Sequence, residues 1–339
     1  MRRIFGASIL GVLLVASACA SGPSGAQTYS VGVDAASPEG KNFQYSAFFP
    51  STLKASPGDT IVFKNNSTQA PHTVSFGIDE RRSNQPPVIL PDGTESPVVQ
   101  QPCYTENPPT AQLVECPSKS LPAFNGEGYW NSGFLLPAPA PAQAGPKEVT
   151  LKLADDMTPG SYRYVCILHG PMAGVLNVLE AEGDRDEKEV VAENAADQLK
   201  DVQDDANGIE DPQTGLEGDT FKAAAGWGGD SVTAVNRFLP KTIEVKAGQK
   251  VSWEAFSAYE PHTVSFGAYQ AGNAQPDVFG PKGTKSGGSY AGGDANSGIF
   301  GPKGGPFPAG PFTLTFPNAG EYKYVCVLHP GMAGIVKVT

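Results

Sequence analysis

A short loop that occurs twice in this chain of 339 residues constrains its fold and chemistry most strongly. The first copy spans residues 162–174 and the second spans residues 322–334, and both begin with Tyr-x-Tyr-Val-Cys and end with Met-Ala-Gly. Each copy places a thiol, an imidazole and a thioether three residues apart, at Cys166, His169 and Met172 and again at Cys326, His329 and Met332. Side chains of these types at this spacing can wrap one soft metal ion, so the repeat predicts two metal sites.

A second repeated motif lies upstream of each loop. The letters Pro-His-Thr-Val-Ser-Phe-Gly begin at Pro71 and recur without change at Pro261, which adds His72 to the first set and His262 to the second. Two imidazoles and a thiolate in a trigonal plane, with a weak axial thioether, make a blue copper electron-transfer site. Zinc more often takes a fourth strong ligand. The two motifs together therefore predict copper in each half of the chain.

At these residues the chain resembles the cupredoxin family, and the Cys-x-x-His-x-x-Met spacing is similar to the short copper loop of amicyanin. The resemblance covers both halves of the chain but not the linker or the insertions. It implies an all-β fold, with two cupredoxin-like Greek-key β-sandwiches joined by an acidic, partly helical linker. It also implies two type 1 copper ions per chain, with the ligands His72, Cys166, His169, Met172, His262, Cys326, His329 and Met332.

The resemblance further implies how electrons leave the sites. In cupredoxins the histidine of the copper loop lies near the surface in an apolar patch, so His169 and His329 are expected to face partner proteins. The expected patch residues are Gly170, Pro171, Ala173, Pro330, Gly331 and Ala333.

Each ligand type also has an ordinary structural role. A lone histidine beside an apolar strand is more often a satisfied buried residue, a cysteine in a strand is usually inert, and methionine commonly fills gaps in a core. The exact repetition favours the metal role for the histidines and cysteines. The methionine count favours the metal role as well, because two of only four methionines in the chain fall at the loop spacing.

The strands before the histidines are duplicated as well. Residues 50–63 align without a gap to residues 240–253, and the alignment continues through the histidine motif at the same offset. This internal duplication predicts one cupredoxin domain over residues 28–179 and a second over residues 223–339.

The N-terminus has the plan of a secretory signal. Residues 1–19 combine two arginines, an apolar run and a small-residue end at Cys19, and residues 20–27 follow as a polar tether. The end of the run is similar to a bacterial lipobox, so lipid modification of Cys19 is expected, with plain signal-peptidase cleavage nearby as the alternative. The expected location is extracytoplasmic, periplasmic or at the cell surface, with a lipid anchor in the membrane.

Two insertions separate the repeated motifs. Domain 1 has a Pro-rich insertion at about residues 78–128, and domain 2 has a Gly-rich insertion at about residues 268–307. The first insertion contains Cys103 and Cys116, which are expected to form a disulfide outside the cytoplasm, with two free thiols as the alternative.

The net charge of −11 belongs to the linker, residues 180–222. Residues 180–219 hold 15 Asp and Glu against 3 Lys and Arg, so the rest of the chain is almost balanced and no nucleic-acid partner is expected. Within the linker, residues 186–205 have apolar side chains near helical spacing and predict a helix that packs on a domain. The linker is expected to separate two self-contained sandwiches. The apolar positions are Val190, Val191, Ala195, Leu199 and Val202.

The histidine count separates the function classes. Copper oxidases and nitrite reductases need further imidazoles for a catalytic copper centre, and this chain has only four histidines, all of them in the two predicted sites. The sequence therefore favours an electron carrier over an enzyme, with redox proteins as donors and acceptors and no small-molecule substrate. A copper storage or delivery protein and a structural module that kept the fold are the alternatives.

Overall fold

The computed structural model describes residues 25–77, 103–105, 123–127, 129–138, 146–180, 185–228, 232–273, 280–303 and 307–339. These residues form two β-sandwiches, with an α-helix between them in the chain. The predicted all-β class, with two sandwiches and a partly helical linker, is confirmed. Among the described residues, no helix is both long and apolar enough to cross a membrane.

The strands of the first half form the two layers of one sandwich. In chain order they are β1 (Thr28–Val33), β2 (Phe43–Tyr45), β3 (Phe48–Phe49), β4 (Thr52–Ala55), β5 (Thr60–Asn65), β6 (Ser75–Phe76), β7 (Cys103–Thr105), β8 (Tyr129–Asn131), β9 (Glu148–Lys152), β10 (Gly160–Val165) and β11 (Ala173–Val178). One sheet has the order β3-β1-β5-β9 and the other has the order β4-β11-β10-β6-β8-β7. Strand β2 belongs to neither sheet.

The second half repeats this plan after helix α1 (Lys188–Asn207). Its strands are β12 (Gly215–Glu217), β13 (Thr220–Trp227), β14 (Thr233–Leu239), β15 (Thr242–Val245), β16 (Lys250–Phe256), β17 (Ser265–Phe266), β18 (Ala295–Asn296), β19 (Phe312–Thr315), β20 (Gly320–Val325) and β21 (Ala333–Val338). One sheet has the order β19-β16-β13-β14-β2, with β12 beside β13, and the other has the order β15-β21-β20-β17-β18. In both halves the first long strand runs parallel to the strand after the duplicated turn, in the pairs β1–β5 and β13–β16.

Equivalent aromatic residues fill the two cores. In β5, buried Phe63 is followed by exposed Lys64, which is the alternation expected of a strand with one face in a core. The Phe63 ring meets the Tyr164 ring edge-on at 5.3 Å, and Trp253 meets Tyr324 in the same way at 5.1 Å. Such pairs stabilise a core by about 0.5–1.5 kcal/mol beyond the area that they bury.

The glycine at the end of each metal-loop repeat makes room for one of these rings. Gly174 lies opposite Tyr164 in the β10–β11 pair, and a Cβ atom at Gly174 would lie 2.4 Å from the tyrosine ring. Gly334 and Tyr324 stand in the same relationship, also at 2.4 Å. The repeated Tyr and Gly letters are therefore a packing requirement, separate from the metal ligands.

Helix α1 confirms the predicted linker helix and packs on the first domain. Val191 is buried in the first core, and the Gln198 side chain accepts from the backbone N–H of Ser51 at 2.8 Å and donates to the Phe48 carbonyl at 3.1 Å. Val190, which the sequence placed on the apolar face, is 41% exposed. The helix is thus fixed to the sheet edge by side-chain hydrogen bonds as well as by apolar contact.

The two sandwiches are not self-contained, which differs from the expectation for the linker. Strand β2 pairs antiparallel with β14 and so extends the sheet of the second domain. Phe43 and Tyr45 of β2 pack with Trp227 and Val235 in a buried cluster that contains residues of both halves. The segment between β1 and β3 therefore joins the domains, because its apolar side chains pack against the second domain as well as against the first half of the chain.

The insertions are described in part. In the Gly-rich insertion, Tyr290, Ala295 and Phe300 belong to the second core, so this segment completes the sandwich. Cys19 and Cys116 lie outside the described residues, as does the side chain of Cys103. The predicted lipid anchor and disulfide remain predictions.

Candidate metal centres

Strand ends and loop backbones bring the predicted ligands of each domain together. Cys166 directly follows β10, and His169 lies in the loop between β10 and β11. His72 exchanges backbone hydrogen bonds with Leu135, and His262 does the same with Phe300. The predicted ligands are therefore held at strand ends, at bridges and in one short loop of the sandwich.

The first centre is a compact triangle of three donor atoms. Sγ of Cys166 lies 3.5 Å from Nδ1 of His169 and 3.7 Å from Nδ1 of His72, and the two Nδ1 atoms are 3.1 Å apart. His72 and Cys166 are fully buried, and His169 is 5% exposed. Nitrogen and sulfur ligands lie about 2.0–2.3 Å from a metal such as zinc, so donor atoms at these separations can all reach one ion of similar size.

The second centre repeats the triangle with a slightly wider opening. Sγ of Cys326 lies 3.5 Å from Nδ1 of His329 and 4.0 Å from Nδ1 of His262. The three donor atoms all lie within 4.8 Å of one another, and their residues are buried. Two imidazole nitrogens and one thiolate sulfur suit copper, which soft sulfur and imidazole ligands favour.

Each metal loop is closed on itself by backbone hydrogen bonds. Cys166 N–H donates to the Met172 carbonyl at 3.0 Å, and Met172 N–H donates to the His169 carbonyl at 3.0 Å. Cys326, His329 and Met332 make the same bonds at 2.9 and 3.3 Å. Both methionine side chains are buried at the end of the loop. The loop thus folds back so that the residues of all three predicted ligand types adjoin one another, while the role of the thioethers stays a prediction.

A threonine after the upstream histidine supports each cysteine. Thr73 N–H donates to Sγ of Cys166 at 3.3 Å, and Thr263 N–H donates to Sγ of Cys326 at 3.4 Å. The hydroxyl of Thr73 also accepts from the N–H of Ile167 at 3.0 Å. These bonds fix the direction of the sulfur atoms and favour their anionic form. The repeated motif contains both threonines, but the sequence interpretation took only the histidine from it.

The surroundings of the sulfur atoms favour thiolates. Burial opposes ionisation of Cys166, but His169 and His72 outweigh it and hold the pKa of the thiol well below its ordinary value. Burial likewise opposes ionisation of Cys326, and His329 and His262 hold the pKa of that thiol well below its ordinary value. Since the thiolate is the metal-binding form, both cysteines are prepared for a metal ion.

A buried carboxylate distinguishes the first centre from the second. Oδ2 of Asp34 lies 2.9 Å from Nε2 of His72, and both side chains are fully buried. Burial lowers the pKa of His72, but Asp34 and Cys166 together outweigh it and raise that pKa to about 10. The equivalent place in the second domain is Gly226, where a Cβ atom would lie 1.9 Å from Nε2 of His262. Burial lowers the pKa of His262.

A second buried carboxylate lies between the two metal loops. Oε1 of Glu260 is 3.0 Å from Nε2 of His329, and Oε2 of Glu260 is 3.7 Å from Nε2 of His169 in the other domain. Burial raises the pKa of Glu260, but His169 and His329 outweigh it and lower that pKa to about 2. Neither loop histidine is at the surface, which differs from the expected outward patch, because each presents its Nε2 edge to the buried carboxylate of Glu260.

The sequence contained no signal for Asp34 or Glu260. Both residues break the internal repeat, since Gly226 stands at the place of Asp34 and Ala70 stands at the place of Glu260. A comparison that searches for shared letters passes over such positions. The residues that make the two centres different are therefore visible only in the folded chain.

Comparisons with known proteins give one family match and a set of similar solved structures. Residues 229–339 match the family model described as copper binding proteins, plastocyanin/azurin family. Similar solved structures include a Cu(I) form of an amicyanin mutant, with 20% identity, a TM-score of 0.23 and coverage of 37% of this chain and 86% of that chain. Another is a novel purple cupredoxin from Nitrosopumilus maritimus, with 21% identity, a TM-score of 0.22 and coverage of 35% of this chain and 98% of that chain. A search among curated proteins gives no match.

The family match covers the second domain, and the first domain is its internal duplicate. The first domain has the same strand plan, the same parallel strand pairs and the same two-histidine, one-cysteine triangle as the second. The second domain therefore matches the copper-binding plastocyanin/azurin family, and the first domain repeats its strand plan and its triangle of donor atoms.

Proposed function

We propose that this chain is an exported blue copper protein that transfers single electrons, with one mononuclear copper ion in each domain. The buried triangle of donor atoms in each sandwich carries the proposal. Donors held by strands change position little when the charge of the metal changes. Small rearrangement favours rapid electron transfer, so a rigid buried site suits a carrier.

The side chains divide the work of holding the ion. The carboxylate of Asp34 accepts a hydrogen bond from Nε2–H of His72, which leaves the Nδ1 lone pair free to face the metal. Thr73 and Thr263 orient the two sulfur atoms through their N–H groups. Met172 and Met332 would provide weak thioether ligands. Bound copper supplies a one-electron couple, and burial keeps water away from the donor atoms.

The four histidines favour a carrier over an enzyme. All four lie in the two triangles, which leaves no imidazole in this chain for an additional catalytic copper centre. We infer that the partners are redox proteins that donate and accept single electrons. Substrate oxidation, where it occurs, belongs to a partner.

Export and lipid anchoring are part of the same proposal. They depend on the signal-like residues 1–19 and on Cys19, at the end of the apolar run. Mass spectrometry of the mature N-terminus tests them directly. A diacylglyceryl group on Cys19 supports anchoring, and an unmodified N-terminus elsewhere in this region contradicts it.

Copper content and visible absorption test the central claim. The purified protein should contain two copper ions per chain and show an intense thiolate-to-copper band that bleaches with a reductant and returns with an oxidant. A storage or delivery protein should instead release copper to a competing chelator when it is reduced. Loss of copper during one redox cycle would favour that second function.

A further inference from the structure

The two copper loops face each other across one buried side chain. Glu260 is 3% exposed and belongs to the second domain, yet its two carboxylate oxygens face different domains. One oxygen lies 3.0 Å from Nε2 of His329, and the other lies 3.7 Å from Nε2 of His169. Each of these histidines presents its opposite ring nitrogen, Nδ1, to the cysteine of its own centre.

The position of Glu260 is held from both halves of the chain. Gln44 of β2 donates to Oε2 of Glu260 at 2.9 Å, and the N–H of Glu260 donates to the Ser257 hydroxyl at 2.9 Å. A buried carboxylate is costly unless it is paired and hydrogen-bonded, and this one is both. Since Ala70 stands at the matching place in the first domain, the feature joins the domains and is not a repeated part of each.

We propose that the two copper centres exchange electrons within one chain and that Glu260 is the bridge between them. The path runs from Cys166 through His169, Glu260 and His329 to Cys326, and the contacts of Glu260 with the two imidazoles, at 3.7 and 3.0 Å, are its through-space steps. The inference rests on the proposed electron-transfer function. It adds a connection that two separate carriers would not have.

The difference in carboxylates gives the exchange a direction. The contact of Asp34 with His72 increases the basicity of that ligand and stabilises the oxidised state of the first centre. His262 faces Gly226, and its Nε2 has no hydrogen-bond partner among the described residues. In the first centre both histidines contact a carboxylate, His72 at 2.9 Å and His169 at 3.7 Å, whereas in the second centre only His329 does, at 3.0 Å. The first centre therefore has the lower potential. One electron passes from the first centre to the second, so the first is oxidised and the second is reduced, with no bond broken and no proton moved.

Partial reduction of the copper-loaded full chain tests the bridge. A pulse of photogenerated one-electron reductant, below one equivalent, reduces a mixture of centres, and the later redistribution is followed in the visible spectrum. The spectra of Cys166→Ser and Cys326→Ser assign each band to its centre. The redistribution should be first order, with a rate independent of protein concentration, and should end with the second centre more reduced.

Substitutions at Glu260 test the bridge, and a substitution at Asp34 tests the direction of electron transfer. Glu260→Ala should slow the redistribution by about tenfold or more, as loss of a side chain that supports a metal ligand commonly does. Glu260→Leu keeps a side chain of similar size, removes both polar contacts and provides the same comparison if the alanine variant does not fold. Exposed Glu244→Gln, in the same domain, is the matched control and should leave the rate unchanged. Asp34→Asn should raise the potential of the first centre alone.

The outcomes distinguish the two proposals. A chain that binds copper at both centres and cycles reversibly, but redistributes electrons only at a rate proportional to protein concentration, overturns the bridge and leaves the carrier function intact. An unchanged rate in both Glu260 variants also overturns it. Absence of a bleachable band in either centre contradicts the proposed function itself.

Discussion

Gln44 donates a hydrogen bond of 2.9 Å to Glu260 across the boundary between the two domains. The other end of the same amide accepts from the side chain of Asn236 at 2.9 Å. Gln44 lies in β2, which is part of the first half of the chain but completes a sheet of the second. The interface is thus built into the environment of the metal loops, and the domains share a structural element as well as a linker.

This shared strand predicts that the two halves stay together when the linker is cut. Cleavage within residues 208–214, between α1 and β12, should leave both fragments in one peak on size exclusion, with copper in each centre. The buried cluster of Phe43, Tyr45 and Trp227 and the β2–β14 hydrogen bonds remain intact after such a cut.

A charge placed in that cluster provides the contrast. Phe43→Asp should separate the cleaved fragments, because a buried unpaired carboxylate costs several kcal/mol. Fragments that separate without this substitution would show that the linker alone holds the domains together.

The parts of the fold that the sequence predicted are those encoded by local repetition. The ligand spacing at Cys166 and His169, the upstream His72 and the apolar positions of helix α1 are all visible in short segments, because period and spacing determine which side chains share a face. Docking of the domains could not be predicted in this way. Strand β2 has only three residues, and its partner β14 lies almost 200 residues away, so neither segment indicates the other.

Single cysteine substitutions should remove one copper centre at a time. Cys166→Ser and Cys326→Ser should each lower the copper content from two ions to one and the intensity of the blue band by about half. The two cysteines are buried in different sandwich cores, so loss of one thiolate leaves the other triangle in place. Quantitative copper analysis and visible spectroscopy measure the result.

Cys103→Ser is the control for these two variants, since Cys103 is not part of either triangle. It should leave both copper ions and the full band. Loss of both centres from Cys166→Ser alone would mean that the second triangle depends on the first.

Alkaline conditions should destabilise the protein through Tyr29. Its hydroxyl donates to the Asp186 carbonyl at 2.8 Å, and burial, together with Asp59, raises the pKa of Tyr29 to about 12. Tyrosine in an unfolded chain has a pKa of about 10, so the folded state retains the proton longer. The contribution of Tyr29 is complete below about pH 10 and is lost as the pH rises through about 12.

Denaturant unfolding of wild type and Tyr29→Phe from pH 8 to pH 12 tests whether the contribution of Tyr29 to stability falls as the pH rises. At pH 8 the variant should be less stable by about 1 kcal/mol, through the lost hydrogen bond. The difference in stability between wild type and variant should narrow above pH 10, because only wild type is destabilised by ionisation of this side chain. A constant gap over the whole range would show that Tyr29 does not titrate differently in the folded and unfolded states.

The axial role of Met332 has two interpretations that predict opposite results for Met332→Gln. As a weak axial ligand, Met332 can be replaced while His262, Cys326 and His329 keep the copper and the colour. The potential should then fall, because an amide oxygen stabilises oxidised copper more than a thioether does. The alternative is that Met332 is a core residue only. Its side chain is 1% exposed, so burying an amide there should cost roughly 1–3 kcal/mol of stability with little change in potential.

The full chain in a Cys166→Ser background isolates the second centre for this measurement, because the isolated second domain would lack β2. Voltammetry and a thermal melt of Cys166→Ser, with and without Met332→Gln, separate the two interpretations. Met332→Leu is the matched control, since it keeps the apolar volume but removes the thioether and should raise the potential. An unshifted potential in both variants, with lower stability in Met332→Gln, would assign Met332, and by symmetry Met172, to the core.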